Sequence, residues 1–277
     1  MFCNDGTIQY TGAGSYSILP AGYSYETLLF GLGVYNIGSN NLAAVTFTNN
    51  GTLKLDGASG QTIPVVSTTG GKIEYSGVGS NLVGGYNYYD LKIDSGAYTA
   101  ASSLRAYHNL ENAGTLDMAG NNLTVDNAFT NTGTLKLDGV LNQAIPAVST
   151  TSGTVEYSGV GTILAAYSYH NLKIDGGIYD VSGHALSVAD TFTNSGTLQL
   201  TGNESAWTGS FNDGTIQYTG AGVDMTQRKQ GEEEIIQLNL ELAGGEGFTF
   251  EGYVAAYYFT ALLAEAYAPG IDDQIVV

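Results

Sequence analysis

The chain has 277 residues, enough for one large or two ordinary domains with a substantial buried core. Its formal net charge is −18 and only 8 residues are Lys or Arg, which argues against binding to nucleic acid or to an anionic membrane surface. The single cysteine, Cys3, excludes an intrachain disulfide and a thiolate metal site, and no apolar run of about 18 residues predicts a membrane span.

The first predicted element is a strand in the segment NDGTIQYTGAG, which begins at Asn4 and recurs unchanged at Asn212. Related segments alternate apolar and polar residues over four or five positions and end in glycine, which is typical of a strand followed by a turn. They are GTIQYTG at Gly6, TLLFGLG at Thr27, GTLKLDG at Gly51, GKIEYSG at Gly71, DLKIDSG at Asp90, GTLDMAG at Gly114, GTLKLDG at Gly133, GTVEYSG at Gly153, NLKIDGG at Asn171, GTLQLTG at Gly196 and GTIQYTG at Gly214. Most steps are 18 to 25 residues, and one extra unit of 19 residues before Gly133 leaves the phase intact, as a stacked repeat allows.

The charges on these segments test whether the strands stack in parallel. In a parallel stack, equivalent residues of successive turns lie about 4.8 Å apart on one line. The outward middle residues then alternate in sign, in the order Lys54, Glu74, Lys92, Asp117, Lys136, Glu156 and Lys173. Opposite charges on neighbouring strands stabilise a sheet and like charges destabilise it, so we interpret this line as a structural charge ladder. Glu74 and Glu156 are therefore interpreted as ion-pair partners of lysines and not as a catalytic acid and base.

The strings FTNTGTLKLDG, GTVEYSGVGTILAAYSYHNLKIDGG and YNYYDLKIDSG resemble repeats of large bacterial surface proteins. Those proteins have pectin-lyase-like, right-handed parallel β-helices and include filamentous-haemagglutinin-like and other adhesin-like members. The resemblance covers about residues 1–222 and implies an all-β domain, a right-handed parallel β-helix (β-solenoid) of about ten coils. It also implies a secreted or cell-surface location, and it carries no catalytic residue over to this chain.

Residues 223–277 lack the repeat and are predicted as a non-repeat α+β tail. The alternating residues 234–242 predict a strand, and the segment from Tyr253 to Ala268 predicts a helix that ends before Pro269. The tail is interpreted as a cap or the edge of a following domain, the alternatives being a partner-binding helix, a membrane-surface helix or a junction with unrelated sequence. Because the chain opens within a repeat and without signal-peptide features, we expect it to be a fragment of a longer protein.

Several polar and aromatic side chains are candidates for binding residues. The histidines His108, His170 and His184 are isolated in the sequence, and the aspartates Asp94, Asp138 and Asp175 end strands, so no metal site is predicted. The asparagines Asn49, Asn50, Asn131 and Asn194 are predicted to fill turns. For the tyrosines that cluster outside the ladder, Tyr86, Tyr88, Tyr89, Tyr167 and Tyr169, the hypothesis is contact with glycans by stacking on sugar rings, and the alternative is packing at the corners of the coils.

The sequence thus predicts a structural or adhesive segment whose partners are glycans or a host or cell-surface molecule. It predicts no cofactor, no nucleic-acid partner and no membrane insertion, and it leaves the oligomeric state open. The alternative is a polysaccharide-active lyase or hydrolase on the same scaffold, which a groove with clustered acids and one basic residue would favour. A third hypothesis places the binding specificity in residues 223–277.

Overall fold

The structure, a computed structural model, describes residues 2–17, 24–82, 85–159, 166, 168–200, 215–218, 239–242 and 261–262. Those residues contain only strands, turns and loops, without a helix, and every pair of neighbouring strands runs parallel. They form a β-solenoid of about nine turns, which confirms the all-β parallel class. The right-handed sense stays a prediction, favoured by the general handedness of parallel crossovers.

Four sheets carry most of the strands. Sheet 1 contains β1 (Phe2–Tyr10), β3 (Ser24–Phe30) and β5 (Ala43–Asn49). Sheet 2 contains β2 (Ser15–Ser17), β4 (Val34–Gly38), β6 (Thr52–Leu55), β7 (Lys72–Tyr75), β9 (Asp90–Ile93), β12 (Asn109–Asn112) and β15 (Ala128–Asn131). Sheet 3 contains β10 (Ala97–Thr99), β13 (Thr115–Asp117), β16 (Thr134–Leu137), β17 (Thr154–Tyr157), β19 (Asn171–Ile174) and β22 (Phe192–Asn194). Sheet 4 contains β20 (Ile178–Asp180), β23 (Thr197–Leu200), β24 (Thr215–Tyr218), β25 (Asn239–Leu242) and β26 (Ala261–Leu262).

Short strands form two further sheets. One contains β8 (Asn87–Tyr88), β11 (Leu104–Ala106) and β14 (Leu123–Val125), and the other contains β18 (Ser168–Tyr169) and β21 (Ser187–Val188). A middle turn of the solenoid therefore has three strands, such as β11, β12 and β13, each lying above the corresponding strand of the turn before. Leu91, Leu110 and Phe129 mark one such line, with one residue from each successive turn.

The predicted charge ladder is divided between two sheets. Sheet 2 places Glu111, and not Asp117, beside Lys92. Asp117 lies in sheet 3 beside Thr99, so the predicted neighbour pair Lys92–Asp117 is wrong. The reason is that β9 and β10 belong to the same turn. In the next turn, β12 stacks on β9, and β13, which contains Asp117, stacks on β10.

The core consists of the inward residues of each strand. The four-residue strands alternate half-buried and buried side chains, and their leucines, isoleucines and tyrosines are almost completely excluded from solvent. Burial of one such aliphatic side chain stabilises the fold by roughly 1.5–3 kcal/mol before the entropy of ordering is counted. The buried tyrosines keep their hydroxyl groups bonded: Tyr98 donates to the carbonyl oxygens of Asp56 and Gly77, each at 3.1 Å, and the hydroxyls of Tyr157 and Tyr169 are 3.0 Å apart.

Buried tyrosines predict an alkaline limit to stability. Burial raises the pKa of Tyr98 and Tyr179 and raises that of Tyr88 well above its usual value, where the neighbouring Tyr75 adds to the effect. Below pH about 10 the phenols are neutral in both states, and above it the unfolded chain loses protons that the folded chain keeps. The free energy of unfolding is therefore expected to fall as the pH rises beyond about 10.

Absorbance at 295 nm and circular dichroism, recorded together during an alkaline titration, measure this effect. We expect a group of phenols to ionise only with the cooperative loss of β-structure, whereas all 20 tyrosines ionise near pH 10 in guanidinium chloride. Ionisation of every phenol near pH 10 with the β-sheet signal intact would contradict the prediction.

Buried glutamines stabilise two long loops between strands, residues 56–71 after β6 and residues 138–153 after β16. Gln61 accepts a hydrogen bond from the amide of Gly57 at 2.8 Å and donates to the carbonyl oxygens of Gly38 and Asn40, each at 2.8 Å. Gln143 occupies the equivalent place in the second loop and accepts from the amide of Gly139 at 2.9 Å. These loops insert into the turn without breaking the stack, because one side chain satisfies backbone groups of two successive turns.

Buried asparagines end strands at the corner between two sheets. The side-chain amides of Asn49, Asn131 and Asn194 donate to carbonyl oxygens of the next turn at 3.1, 3.2 and 3.1 Å. Three of the four asparagines predicted to fill turns are thus buried, with only 1–2% of their surface exposed. The side chain of Asn131 also accepts a 2.7 Å hydrogen bond from that of Asn112. Each asparagine bonds the backbone of one turn to the next, which an apolar residue of the same size cannot do.

Replacement of Asn131 by alanine is expected to lower the free energy of unfolding by about 1–3 kcal/mol, because it leaves buried polar partners unsatisfied. Denaturant unfolding followed by circular dichroism measures the change. Asn127→Ala is the matched control: the side chain of Asn127 is exposed and bonds only that of Asn109, at 2.9 Å, so its loss should cost less than about 0.5 kcal/mol. Equal effects of the two substitutions would contradict the role assigned to Asn131.

Strands of sheet 4 continue into the predicted tail. Leu240 and Glu241 of β25 lie beside Ile216 and Gln217 of β24, which agrees with the last four residues of the strand predicted over 234–242, and residues 234–238 lie outside the described residues. The only described residues of the predicted helix, Ala261 and Leu262, form β26 and pair with β25, so a helix is wrong for these two positions. The remainder of the predicted helix lies outside the described residues. Stacking on a solenoid edge favours a strand here because it satisfies the edge amide and carbonyl groups.

Candidate functional site

The outer side of sheet 2 carries a compact group of charges, which we call the charged face. It is formed by Lys54, Lys72, Glu74, Asp90, Lys92 and Glu111, from strands β6, β7, β9 and β12. The parallel register places them in two lines: Lys54, Glu74, Lys92 and Glu111 form the first, and Lys72 and Asp90 lie side by side in the second. Charges therefore alternate along each line.

Most charges of this face have an ion-pair partner within the chain. Lys54 Nζ lies 2.5 Å from a carboxylate oxygen of Glu74, whose side chain is 10% exposed. Lys72 Nζ reaches diagonally across β9 to Glu111 at 3.3 Å. Lys92 Nζ lies 2.5 Å from Asp94 at the end of its own strand, and this hydrogen bond raises the pKa of Lys92 and lowers that of Asp94.

A second set of charges lies on the outer side of sheet 3. In-register pairing places Asp117, Lys136, Glu156 and Lys173 on one line. Glu156 lies 3.0 Å from Lys136 and 3.3 Å from Lys173, and its hydrogen bond is the main cause of the raised pKa of Lys136. Lys173 also bonds Asp175 at 3.1 Å, so the predicted ladder residues form two charged lines on two different sheets.

The tyrosines predicted to contact glycans do not form one exposed strip. Tyr88 and Tyr169 are 0% and 1% exposed, so the prediction that they contact a glycan is wrong for both. Each ends a two-residue strand whose last side chain points into the core, where it meets Tyr75 or Tyr157. Tyr86 packs against the core at a positive φ of 61°, and Tyr167 lies outside the described residues.

A partly exposed aromatic group lies near β11 and β12, and of its four residues the sequence predicted only Tyr89 as a glycan contact. The Tyr89 ring stacks on His108 with their centroids 4.9 Å apart, and the Arg105 guanidinium lies 4.4 Å from the centre of the Tyr107 ring. Arg105 also bonds Asp126 at 2.8 Å. We call Tyr89, Arg105, Tyr107 and His108 the aromatic corner. The signal that could have found it is Arg105 itself, because it stands apart from the lysine pattern.

Two of the three histidines, His108 and His170, each lie beside one carboxylate. His108 Nδ1 lies 3.0 Å from Asp90, and His170 lies 3.8 Å from Asp190 and not beside Asp175 or Asp180, the carboxylates nearest to it in the sequence. Within the described ranges no three His, Cys, Asp or Glu side chains converge in a group that could hold a metal ion. Asp94 and Asp175 bond lysines of their own strands.

A groove of about 410 Å³ opens on the charged face toward β15. It is lined by Lys92, Asn109, Glu111, Asn112, Ala113, Ala128, Thr130 and Thr132. The groove is open, and both of its charged residues already have intrachain partners. It can accept polar groups such as hydroxyl or ammonium groups, since it offers carboxylate, amide and hydroxyl oxygens.

Searches of protein-family models, curated proteins and solved structures give no match to this chain. In the part of the chain that the structure describes, no helix is long and apolar enough to cross a membrane. The molecule is therefore characterised by its architecture, a parallel β-solenoid, and by the charged and aromatic groups on its outer surface.

Proposed function

We propose that this chain is a structural, adhesive segment of a secreted or cell-surface bacterial protein, in which the solenoid acts as a stiff spacer. The observation that carries the proposal is the continuous core of the described turns. Their inward residues between Leu28 and Leu200 form one hydrophobic cluster, and the turns are joined by backbone hydrogen bonds along the axis. About nine turns at roughly 4.8 Å each give a rod segment of about 43 Å.

Its outer surface supports a spacer more than an enzyme. The charged residues of the groove are engaged in ion pairs, and the same Lys–Glu–Lys pattern recurs on a second sheet, as expected of a structural element. Adhesion to glycans is proposed for the aromatic corner, where Tyr107 is 37% exposed. Aromatic rings bind sugars through their apolar faces, and the polar side chains around Tyr107 can bond the hydroxyl groups.

Binding of the chain to a panel of bacterial and host polysaccharides, with product analysis in the same wells, tests the proposal. We expect retention of at least one polysaccharide, no shortened chains, and loss of retention in Tyr107→Ala but not in Tyr107→Phe, which keeps the ring. Depolymerisation by the unmodified chain would overturn the structural assignment, and retention that survives Tyr107→Ala would overturn the aromatic corner.

The second candidate is a polysaccharide-active enzyme. The groove favours it, because it brings Lys92 and Glu111 together on two successive turns of the solenoid, close to Asp90. Such an enzyme would lose its activity in Glu111→Gln. Glu156→Gln on sheet 3 is the matched control, since Glu156 also bonds lysines but does not line the groove. Equal activity of the two variants would remove this candidate.

A further inference from the structure

We propose that the charged face binds the same face of a second copy of this chain, with the two solenoid axes antiparallel. The first argument is its net charge. Three lysines and three carboxylates balance on its two lines, and with Asp94, the partner of Lys92, the face carries −1, although the chain as a whole carries −18. Two acidic rods repel each other at long range, and that repulsion is smallest where nearly neutral faces meet.

The order of the charges is self-complementary. A two-fold axis along the strand direction, between β7 and β9, places each line of charges opposite the same line of the second copy in reverse order. Lys54 then faces Glu111 of the second copy, and Glu74 faces Lys92 of the second copy. Each of these contacts occurs twice, because the interface is symmetric.

The second line obeys the same symmetry. With this axis, Lys72 faces Asp90 of the second copy, and the uncharged Thr52 faces Asn109 of the second copy. All six charged residues therefore lie opposite a residue of the other sign, and Glu74, with 10% of its side chain exposed, contributes the smallest contact surface. This agreement of two independent lines is the observation that selects the charged face over other surfaces.

Alternative arrangements fit the charges less well. A shift by one turn places the axis on β7 and brings Glu74 opposite Glu74 of the second copy, with Lys54 opposite Lys92 of the second copy. A parallel arrangement pairs four of the six charges but leaves Lys54 and Glu111 opposite uncharged residues. Complementary charges thus select both the antiparallel direction and the register.

Each lysine retains capacity for a second acceptor. The side chains of Lys54, Lys72 and Lys92 remain 30%, 31% and 26% exposed, and an ammonium group has three donors. The groove beside Glu111 provides space for the Lys54 side chain of the second copy. Because exposed ion pairs contribute little individually, and because four strands span only about 19 Å along the axis, we expect weak, salt-sensitive association.

Sedimentation velocity of the full chain at about 0.1–1 mM, in low and high sodium chloride, tests the proposal. We expect a dimer at low salt and a monomer in about 0.5 M salt. Lys54→Glu and Glu111→Lys should each weaken association about tenfold or more, because each variant places two pairs of like charges in its own dimer. An equimolar mixture of the two variants should associate as the unmodified chain does, since the mixed pair restores both contacts.

Lys136→Glu is the matched control, because Lys136 has the same 30% exposure and a glutamate partner but lies on sheet 3. Lys136→Glu changes the net charge by the same amount as Lys54→Glu, and it should not disrupt the dimer at low salt. Circular dichroism verifies that each variant is folded, and Lys54→Gln replaces Lys54→Glu if the reversal prevents folding. A monomeric unmodified chain, a mixture that fails to associate, or loss of the dimer in Lys136→Glu alone would each overturn the proposal.

Discussion

Gly133→Ala is expected to lower the free energy of unfolding by about 3–4 kcal/mol. Gly133 lies at the corner between sheets 2 and 3, directly over Gly114. A Cβ atom at Gly133 would stand 2.0 Å from the carbonyl oxygen of Gly114, closer than any real contact of that kind. That oxygen cannot move away, because it accepts the amide of Thr134 at 2.8 Å.

The cost is steric and not conformational, because the backbone of Gly133 does not adopt a positive φ. Gly70→Ala is therefore an informative control: its Cβ atom would meet nothing closer than Asn50 Oδ1 at 3.8 Å, and it too lacks a positive φ. Chemical denaturation followed by circular dichroism measures both variants, and Gly70→Ala should change stability by less than about 1 kcal/mol. Equal stability of Gly133→Ala and the unmodified chain would show that the turns are stacked differently from this structure.

Tyr157→Ala is expected to cost about 3–5 kcal/mol, because it opens a large cavity in a completely buried part of the solenoid. The Tyr157 ring lies against those of Tyr169 and Tyr179, with centroids 6.4 and 5.2 Å away, and its hydroxyl is 3.0 Å from that of Tyr169. Tyr157→Phe keeps the ring and removes only the hydroxyl, so it should cost about 1–2 kcal/mol.

Thermal and denaturant unfolding separate these two contributions. The difference between the alanine and phenylalanine variants measures packing, and the difference between the phenylalanine variant and the unmodified chain measures the hydrogen bond. Stability in Tyr157→Ala within about 0.5 kcal/mol of the unmodified chain would contradict the burial described for this ring. The unfolding should also become less cooperative near this turn, because each turn of a solenoid contacts only its neighbours.

Some strand pairings of this structure can be predicted from the sequence. The parallel pairing of Lys54 with Glu74 and of Glu74 with Lys92 is readable from alternating charge at a constant spacing, because unlike charges are required only if the strands are neighbours. The inward line through Leu53, Ile73 and Leu91 is readable for the same reason. The alternation of residues within each strand and the length of the repeat together indicate which residues are neighbours on successive turns.

The burial of other residues cannot be predicted from the sequence. Tyr88 and Tyr89 are adjacent, yet the first is completely buried and the second stacks on His108 at the surface. Pairing of the two-residue strand β8 with β11 decides which of them points inward, and so short a strand has no readable alternation. The buried roles of Asn131 and Gln143 were likewise unreadable, because polar residues between strands predict turns equally well.

The amino-acid sequence by itself determined that this protein is a stack of parallel strands, since its period, alternation and charge order agree with one arrangement. Only the tertiary structure decided which sheet each strand joins. The segments at Asp90 and Gly114 are similar in sequence, yet they lie on different sheets. A turn contains three strands, and the similarity between two segments does not show how many strands lie between them. The charged face depends on that decision: Glu111 joins it and Asp117 does not, because hydrogen bonding between turns, and not similarity of sequence, selects the neighbour.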